Sequence, residues 1–283
     1  MPGEVGAANV ALAAIDPLVH SIDHGCVDGP EIPLHGGSVT PVVRIGDTVR
    51  RQSGPWSEAV QALLRHLEAV GFTQAPRALG WDRQGREQVG FLPGAAATRP
   101  WPDVLRSLVG VTILGDWLAR YHHAVAGFAP PPGAVWRTGP HRPRPGDIIR
   151  HGDLGPWNTI WQAGGLSGVI DWDFAAPGPA IADVADLAWQ LVPLRPTRPD
   201  APYEAALERR VRLQALCAAY GAIAPAAVVD AALALMAATL RETVTRGQAG
   251  AQPWRSFLAR GDVPRLLAER QWLAQARCEL IGS

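Results

Sequence analysis

The chain has 283 residues and no lysine, because all 26 of its basic residues are arginine. Its 26 acidic residues balance them, so the formal net charge is zero. A neutral chain has no overall field that attracts nucleic acid or an anionic membrane surface. We therefore expect neither of these as a partner. Any role that calls for a lysine must be met here by an arginine.

Cysteine is scarce, and the three residues, Cys26, Cys217 and Cys278, form no Cys-x-x-Cys pattern. Because the cysteines are odd in number and scattered along the chain, they favour neither a disulfide framework nor a zinc site. No apolar run reaches the roughly 20 residues of a membrane span. The N-terminus lacks the basic and apolar segments of a secretory signal. The expected location is therefore the cytoplasm.

Apolar periodicity and turn residues divide the chain into three parts. Residues 1–30 form a polar N-terminal extension with one weak helical stretch near Val10. Residues 31–92 are predicted to be a nucleotide-binding lobe, and residues 93–283 a catalytic and substrate-binding lobe. The fold class is α+β, with a β-rich N-terminal lobe and a mainly helical C-terminal lobe.

The first lobe is predicted to contain five strands and one helix, which begins at Ser57 and ends before Gly71. The strands are expected at 31–34, 41–45, 48–50, 78–81 and 88–92. The second lobe is predicted to begin with one long amphipathic helix over 103–126. Three short strands, at 148–149, 159–161 and 167–170, follow. Helical patterns then cover 184–191, 204–220, 226–244 and 264–280.

One segment carries the strongest functional signal. Residues 151–158 read His-Gly-Asp-Leu-Gly-Pro-Trp-Asn, and an apolar stretch that ends at Asp171 comes soon after. Asp153 and Asn158 are spaced as are the catalytic Asp and the metal-binding Asn in the H-R-D-L-x-x-x-N loop of protein kinases, in which a later Asp also binds the metal. The pattern therefore indicates phosphoryl transfer.

This arrangement resembles the aminoglycoside phosphotransferase and choline kinase family, which has a two-lobed protein-kinase-like fold. The resemblance covers about residues 31–280. It is most specific at 151–158 and at Val169-Ile-Asp-Trp-Asp173. Gly178-Pro179 with Asp183-Val-Ala fits the family's usual continuation, and Tyr121-His122 resembles the end of the family's long helix.

The resemblance implies a role for each site residue. Asp153 would be the catalytic base, and Asn158 and Asp171 would bind Mg²⁺, which prefers such hard oxygen ligands. His151 is expected to orient the loop by hydrogen bonding. Asp173 either assists the metal indirectly or caps the next turn. Two further aspartates, Asp183 and Asp186, are candidates to brace the loop.

The nucleotide-binding half is less well defined. Gly36, Gly37 and Ser38 lie between two predicted strands, where they form either a phosphate-binding loop or a plain hairpin turn. Phe91 and Leu92 resemble the hinge that holds an adenine ring, or else they end a buried strand. ATP or GTP is the expected nucleotide.

Kinases also use a strand lysine, paired with a helix glutamate, to hold the phosphates. Arg50 is predicted to substitute for that lysine, with Arg51 as the alternative. Arginine keeps the charge, but its planar fork is longer. The helix partner is not obvious, because Glu58 lies at the helix start and the better aligned Val60 is apolar.

The sequence predicts ATP-dependent, Mg²⁺-dependent phosphorylation of a hydroxyl on a small molecule, either an antibiotic or a metabolite. From Asp183 to the end there are 10 acidic residues and 12 arginines. This balance makes a neutral acceptor at least as suitable as a polycationic aminoglycoside. The alternatives are a non-catalytic, kinase-like binding protein and a housekeeping metabolite kinase. A phosphatase or glycosyltransferase that uses Asp171-Trp-Asp173 would leave Asp153 and Asn158 without a role.

Overall fold

The computed structural model describes residues 29–34, 42–139, 141 and 144–282. The helical stretch predicted near Val10 lies outside these residues. So do Gly36, Gly37 and Ser38, whose predicted contact with phosphate therefore stays a prediction.

The first lobe is built on a five-stranded antiparallel sheet in the order β1-β2-β3-β5-β4. Its strands are β1 Ile32–Leu34, β2 Val42–Ile45, β3 Thr48–Arg51, β4 Ala78–Trp81 and β5 Glu87–Gly90. Helix α1, Ser57–Ala69, buries Val60, Leu63, Leu64 and Leu67, which recur at helical spacing along one face. The predicted strands and helix of this lobe are confirmed to within a few residues.

The second lobe is mainly helical and carries two small antiparallel sheets, β6-β8-β9 and β7-β10. Its strands are β6 Ala95–Ala96, β7 Ile148–Arg150, β8 Thr159–Gln162, β9 Gly165–Val169 and β10 Ala176–Gly178. Its helices are α2 Asp103–Arg106, α3 Leu108–Val125, α4 Ala180–Leu191, α5 Arg209–Gly221, α6 Pro225–Gln248, α7 Trp254–Ala259 and α8 Asp262–Ile281. The α+β class predicted from the sequence is confirmed.

The single helix predicted over 103–126 is wrong at Ser107. This residue is extended, with φ of −87° and ψ of 168°, and it separates α2 from α3. Gly110 lies so close to α2 that a β-carbon there would be 2.3 Å from the Val104 carbonyl oxygen. The two helices therefore meet at a corner, which a periodicity argument alone cannot detect.

An aromatic cluster supports the strands next to residues 151–158, the predicted catalytic loop. Trp117 stacks on Tyr121 with ring centroids 5.6 Å apart, and Trp172 meets Tyr121 edge-on at 5.0 Å. Tyr121 donates its hydroxyl hydrogen to the Ile149 carbonyl at 2.6 Å, which fixes β7. Trp172 donates its indole N–H to the Val169 carbonyl at 3.0 Å, which fixes the end of β9. Packing in this core therefore sets where the loop begins and ends.

In the part of the chain that the structure describes, no single helix has both the length and the apolar character of a membrane span. Helices α5 and α6 meet that test only as a pair, bent by 100° where they join.

Candidate active site

The catalytic loop brings Asp153 and Asn158 into direct contact. Asn158 donates from Nδ2 to the Asp153 carboxylate at 3.0 Å and to the Asp153 carbonyl at 2.9 Å. A short 3₁₀ turn over Pro156–Asn158, begun by proline, turns the asparagine back toward the aspartate. The five-residue spacing in the sequence thus becomes one hydrogen-bonded pair at the end of the loop.

Both candidate bracing aspartates hold the loop, each at a different point. The Asp183 carboxylate accepts the backbone N–H of His151 at 2.8 Å and of Gly152 at 3.1 Å. Asp186 accepts the N–H of Leu154 at 2.8 Å. These charge-assisted bonds satisfy three backbone N–H groups of the loop. The two aspartates, which the sequence offered as alternatives, act together.

His151 is hydrogen-bonded both within the loop and to the residue before Asp171. It is fully buried, its Nδ1 accepts the Asp153 N–H at 3.3 Å, and its Nε2 lies 3.1 Å from the Ile170 carbonyl. Burial is the main cause that lowers the pKa of His151 to about 4. The ring is therefore neutral at physiological pH, with its hydrogen on Nε2. In this form it links the loop to the strand that leads to Asp171.

Gly152 lies where the loop of protein kinases has an arginine, and the backbone at this position requires glycine. It adopts a φ of +78°, and a β-carbon there would be 2.3 Å from the Phe174 carbonyl oxygen. The loop backbone therefore passes directly over the turn that follows Asp171. Only glycine allows both the left-handed conformation and this approach.

Asp171 lies where the two lobes meet, within reach of Arg51 on β3. It has a φ of 64° and a ψ of 66°, an uncommon conformation for a residue other than glycine, and it begins the 3₁₀ turn Trp172–Phe174. Its side chain is 46% exposed, unlike that of Asp173. Burial of the region, then the Asp173 charge, raise the pKa of Asp171.

Asp173 is neither a free ligand nor a simple cap. Its carboxylate lies between two guanidinium groups, with Arg51 Nη2 at 2.8 Å and Arg137 Nη1 at 2.6 Å. Arg137 also packs over the Trp56 ring at 4.4 Å. Asp173 therefore joins the first lobe to the second through paired charges.

Arg51 is the arginine that reaches the carboxylates that follow β9. Its Nη1 lies 3.4 Å from Asp171, in addition to its contact with Asp173. Arg50 is on the opposite face of β3, where it bonds to Thr48 and lies 3.8 Å from Asp82. Adjacent strand residues point to opposite faces, so Arg51, the predicted alternative, is the arginine that lies beside Asp171, and which of the two binds phosphate stays a prediction. The signal in the sequence was Val49, which is apolar and lies two residues before Arg51. Residues two apart on a strand share a face, so Arg51 lies on the same inward face as Val49.

Two further residues of this site are missed by reasoning from the sequence. Glu87 on β5 accepts a hydrogen bond from Arg51 Nε at 2.7 Å, and Gln61 on α1 donates to the other Glu87 oxygen at 2.9 Å. Glu87 and Gln61 are both fully buried. The kinase pattern places the expected acid on the helix, where Glu58 is exposed and Val60 is in the core.

The expected adenine contact of Phe91 stays a prediction. Its backbone N–H is donated to the Asp47 carbonyl at 2.9 Å, which extends the sheet beyond β5. The Arg44 guanidinium covers its ring at 3.7 Å. Phe91 also borders a cavity of about 1240 Å³ whose lining includes Arg50. This N–H is therefore already used within the first lobe, and Arg44, which covers the ring, is the register partner of Val49 on the Arg51 face of the sheet.

Asp153 lies in a region of concentrated negative charge. Burial first, and then the charge of Asp171, raise the pKa of Asp153 to about 7, against the lowering effect of the hydrogen bond from Asn158. Burial and the Asp153 charge also raise the pKa of Asp186. Such crowding of carboxylates is a condition that a divalent cation offsets.

The residues present fit a magnesium ion. Asp171 supplies a carboxylate, and Asn158, whose Nδ2 is directed to Asp153, has its amide oxygen to offer. Mg²⁺ commonly takes one or two such protein ligands and completes its shell with water and phosphate oxygens. Among the described residues, no three or more His, Cys, Asp or Glu side chains are grouped as metal ligands.

Comparison with known families identifies the segment around this loop. Residues 134–225 match the model of the phosphotransferase enzyme family. That stretch contains the catalytic loop, Asp171 and both bracing aspartates. The predicted family resemblance is confirmed.

One curated relative is the trifolitoxin immunity protein of Rhizobium leguminosarum bv. trifolii. It is 40% identical over 164 residues, which are 56% of this chain. The match spans 61% of the length of that relative.

Two solved structures show that the fold extends well beyond the matched segment. Amicoumacin kinase, solved with AMP-PNP, Ca²⁺ and Ami, has a TM-score of 0.59 at 14% identity, over 89% of this chain and 88% of its own. A choline/ethanolamine kinase family protein from Mesorhizobium loti has a TM-score of 0.55 at 18% identity, over 89% and 94%. The kinase-like fold predicted from the sequence is therefore confirmed.

Proposed function

We propose that this chain is a small-molecule O-phosphotransferase that uses ATP or GTP with Mg²⁺. The observation that carries the proposal is the contact of Asp153 with Asn158, opposite Asp171 and Arg51, at the junction of the lobes. The match of residues 134–225 to a phosphotransferase family supports it. The nucleotide and cation bound to amicoumacin kinase support the choice of cofactors.

In this mechanism Asp153 orients the hydroxyl of the acceptor and accepts its proton as the oxygen attacks the terminal phosphorus. The bond from that phosphorus to the bridging oxygen breaks, and the nucleoside diphosphate leaves with the electron pair. The transition state is loose, so placement and charge neutralisation do most of the work. Asn158 holds the Asp153 carboxylate in the required orientation.

Asn158 and Asp171 would hold the magnesium ion, which when bound supplies positive charge to the phosphate oxygens. Arg51 is the protein's own cation at that point, since its terminal nitrogens reach Asp171 and Asp173. A guanidinium group can bind two phosphate oxygens at once. In this proposal Arg51 takes the place of the strand lysine of kinases.

The acceptor in this proposal is a toxin, an antibiotic or a related metabolite, and it is neutral or weakly charged. The 40% identity to a trifolitoxin immunity protein supports a protective role. Of the carboxylates around the loop, Asp173 is already paired with two arginines. Asp183 is fully buried beneath the loop backbone. Neither carboxylate is available to bind a polycationic aminoglycoside.

A second candidate is a non-catalytic, kinase-like nucleotide-binding protein. It is favoured by the ion pairs that hold Arg51 against Asp171 and Asp173. In that case the arginine would stay with the carboxylates and would not transfer to phosphate. Binding without turnover is the property that distinguishes this candidate.

The test is phosphoryl transfer from ATP or GTP, with Mg²⁺, to a panel of hydroxylated antibiotics, toxins and small metabolites. We expect a phosphorylated product with wild-type protein and with Asp116→Asn, which changes an exposed aspartate on α3. We expect at least about a hundredfold less product with Asp153→Asn. Nucleotide binding by calorimetry without product from any acceptor would favour the non-catalytic candidate.

A further inference from the structure

The acid that pairs with the phosphate-binding cation lies on a strand in this chain. Kinases take that acid from a helix packed against the sheet. Here α1 contributes the neutral Gln61 at the contact, and the carboxylate belongs to Glu87 on β5. The arrangement is therefore different from the one that the resemblance implies.

The strand position makes the ion pair part of the sheet itself. Arg51 and Glu87 are direct partners in the antiparallel register of β3 and β5. Side chains of such partners lie on the same face, close enough to interact. Arg51 Nε donates to Glu87 Oε2 at 2.7 Å, and the glutamate is fully buried. The backbone alone brings these charges together, without any movement of α1.

Gln61 fixes the remaining freedom of Glu87. It donates from Nε2 to Glu87 Oε1 at 2.9 Å and to the Gln88 carbonyl at 3.1 Å. Its Oε1 accepts the Gly80 N–H at 2.9 Å. Both oxygens of Glu87 are thus bonded, and one amide ties α1, β4 and β5 together. A second carboxylate on the helix would repel Glu87, which accounts for a neutral residue there.

As a consequence, the Arg51 guanidinium group is directed toward the two aspartates that follow β9. With its Nε held by Glu87, Arg51 extends Nη1 toward Asp171 at 3.4 Å and Nη2 toward Asp173 at 2.8 Å. These are the two nitrogens that would meet phosphate. Arginine suits this placement better than lysine because its guanidinium group has three nitrogens. One of them is anchored by Glu87, and the other two point toward the ligand.

We propose that Glu87 and Gln61 are positioning residues that hold Arg51 for the nucleotide phosphates, in place of a helix glutamate. The inference rests on the proposed function. It gives this chain an ion pair that strand pairing brings together and that Gln61 of α1 holds in place.

The test compares Glu87→Gln and Glu87→Asp with wild type by calorimetry with Mg-ATP and by steady-state kinetics. Glu87→Gln removes the charge, and Glu87→Asp keeps the charge on a side chain that is one methylene group shorter. We expect nucleotide affinity to fall by about tenfold or more in Glu87→Gln and by less in Glu87→Asp. We expect the acceptor KM to stay unchanged in both variants. A change in that KM would instead indicate a general loss of structure.

Glu68→Gln is the matched control, because Glu68 forms an exposed ion pair with Arg77 in the same lobe. Its nucleotide affinity should equal that of wild type. If Glu87→Gln does not fold, Glu87→Asp decides. Wild-type affinity in either folded Glu87 variant would overturn the inference.

The outcomes also separate this inference from the proposed function. Turnover by wild type with unaltered nucleotide binding in the Glu87 variants would refute only the positioning role. Nucleotide binding that depends on Glu87, without turnover on any acceptor, would refute only the enzymatic activity.

Discussion

At the residue scale, the catalytic loop depends on Gly152, where conformation and space both demand glycine. Gly152→Ala would place a β-carbon 2.3 Å from the Phe174 carbonyl at a φ of +78°. We expect a loss of about 2–4 kcal/mol in the free energy of unfolding, from strain plus displacement of the turn after Asp171. Urea titration measures it.

The control for this prediction is Gly133→Ala. Gly133 has a similar φ of +75°, and a β-carbon added there would meet open space, with no atom of a more distant residue within 4 Å. It should show only the cost of the left-handed conformation, about 1 kcal/mol. Equal losses in the two variants would show that the contact with Phe174 has no energetic weight.

Asp183 gives the loop a pH-dependent stability. Burial alone would raise the pKa of Asp183, but the hydrogen bond from His122 and the charge of Arg150 lower it below its usual 3.8. A depressed carboxylate pKa contributes stability above the unfolded value, which is lost as pH falls through the folded value. We expect Asp183→Asn to be less stable than wild type by a constant amount from about pH 7 to 5. The difference should narrow below the unfolded pKa of 3.8.

Denaturant titrations of both proteins across this range measure the effect. A difference that grows as the pH falls would contradict the assignment of Asp183 as an ionised acceptor of the His151 and Gly152 N–H groups.

At the element scale, one buried arginine joins three helices. Arg212 on α5 donates to the carbonyls at the corner between α2 and α3, those of Leu105, Arg106 and Ser107, and to Leu191 at the end of α4. Unpaired carbonyls at helix ends need such donors. The side chain therefore stabilises the corner that the sequence-based prediction of one helix missed.

Arg212→Met is expected to reduce the free energy of unfolding by about 3 kcal/mol, because it leaves several buried carbonyls without a donor. Arg210→Met, at an exposed arginine on the same helix, should change stability by less than about 0.5 kcal/mol. Chemical denaturation of both variants measures this. Equal stabilities would contradict the capping role of Arg212.

Elements with strong local signals were predicted well, and those that depend on distant contacts were not. Strand β4 was predicted from its place before the turn at 82–85, and helix α1 from its periodicity and the stop at Gly71. The break at Ser107 depends on Arg212, about a hundred residues away, and on the close approach of Gly110. Likewise, Asp153 and Asn158 are recognisable by their spacing, whereas Glu87 joins the site through strand pairing that no local pattern records.

At the scale of the whole molecule, Arg51 links the lobes, whereas Arg50 next to it lies on the opposite face of β3. A ligand that binds only the folded state stabilises it by about 2.7 kcal/mol at a hundredfold excess over Kd. We expect Mg-ATP to raise the Tm of wild type and of Arg50→Met, but to have little effect on Arg51→Met. Thermal unfolding with and without nucleotide measures this, and each variant serves as its own baseline.

The adjacent arginines make this a strict comparison, since the two variants remove the same side chain from opposite faces of one strand. A nucleotide effect that disappears in Arg50→Met and persists in Arg51→Met would assign the phosphate-binding role to Arg50.

The central claim is that Asp153 performs phosphoryl transfer in a cleft whose other parts bind the nucleotide. The most direct measurement is single-turnover product formation from Mg-ATP and an accepted hydroxyl compound, with wild type and Asp153→Asn. Positioned proton transfer contributes typically 10²–10⁴-fold to rate. We expect a loss of about that size in Asp153→Asn, with nucleotide affinity not reduced. An Asp153→Asn variant that forms product at the wild-type rate would contradict the claim.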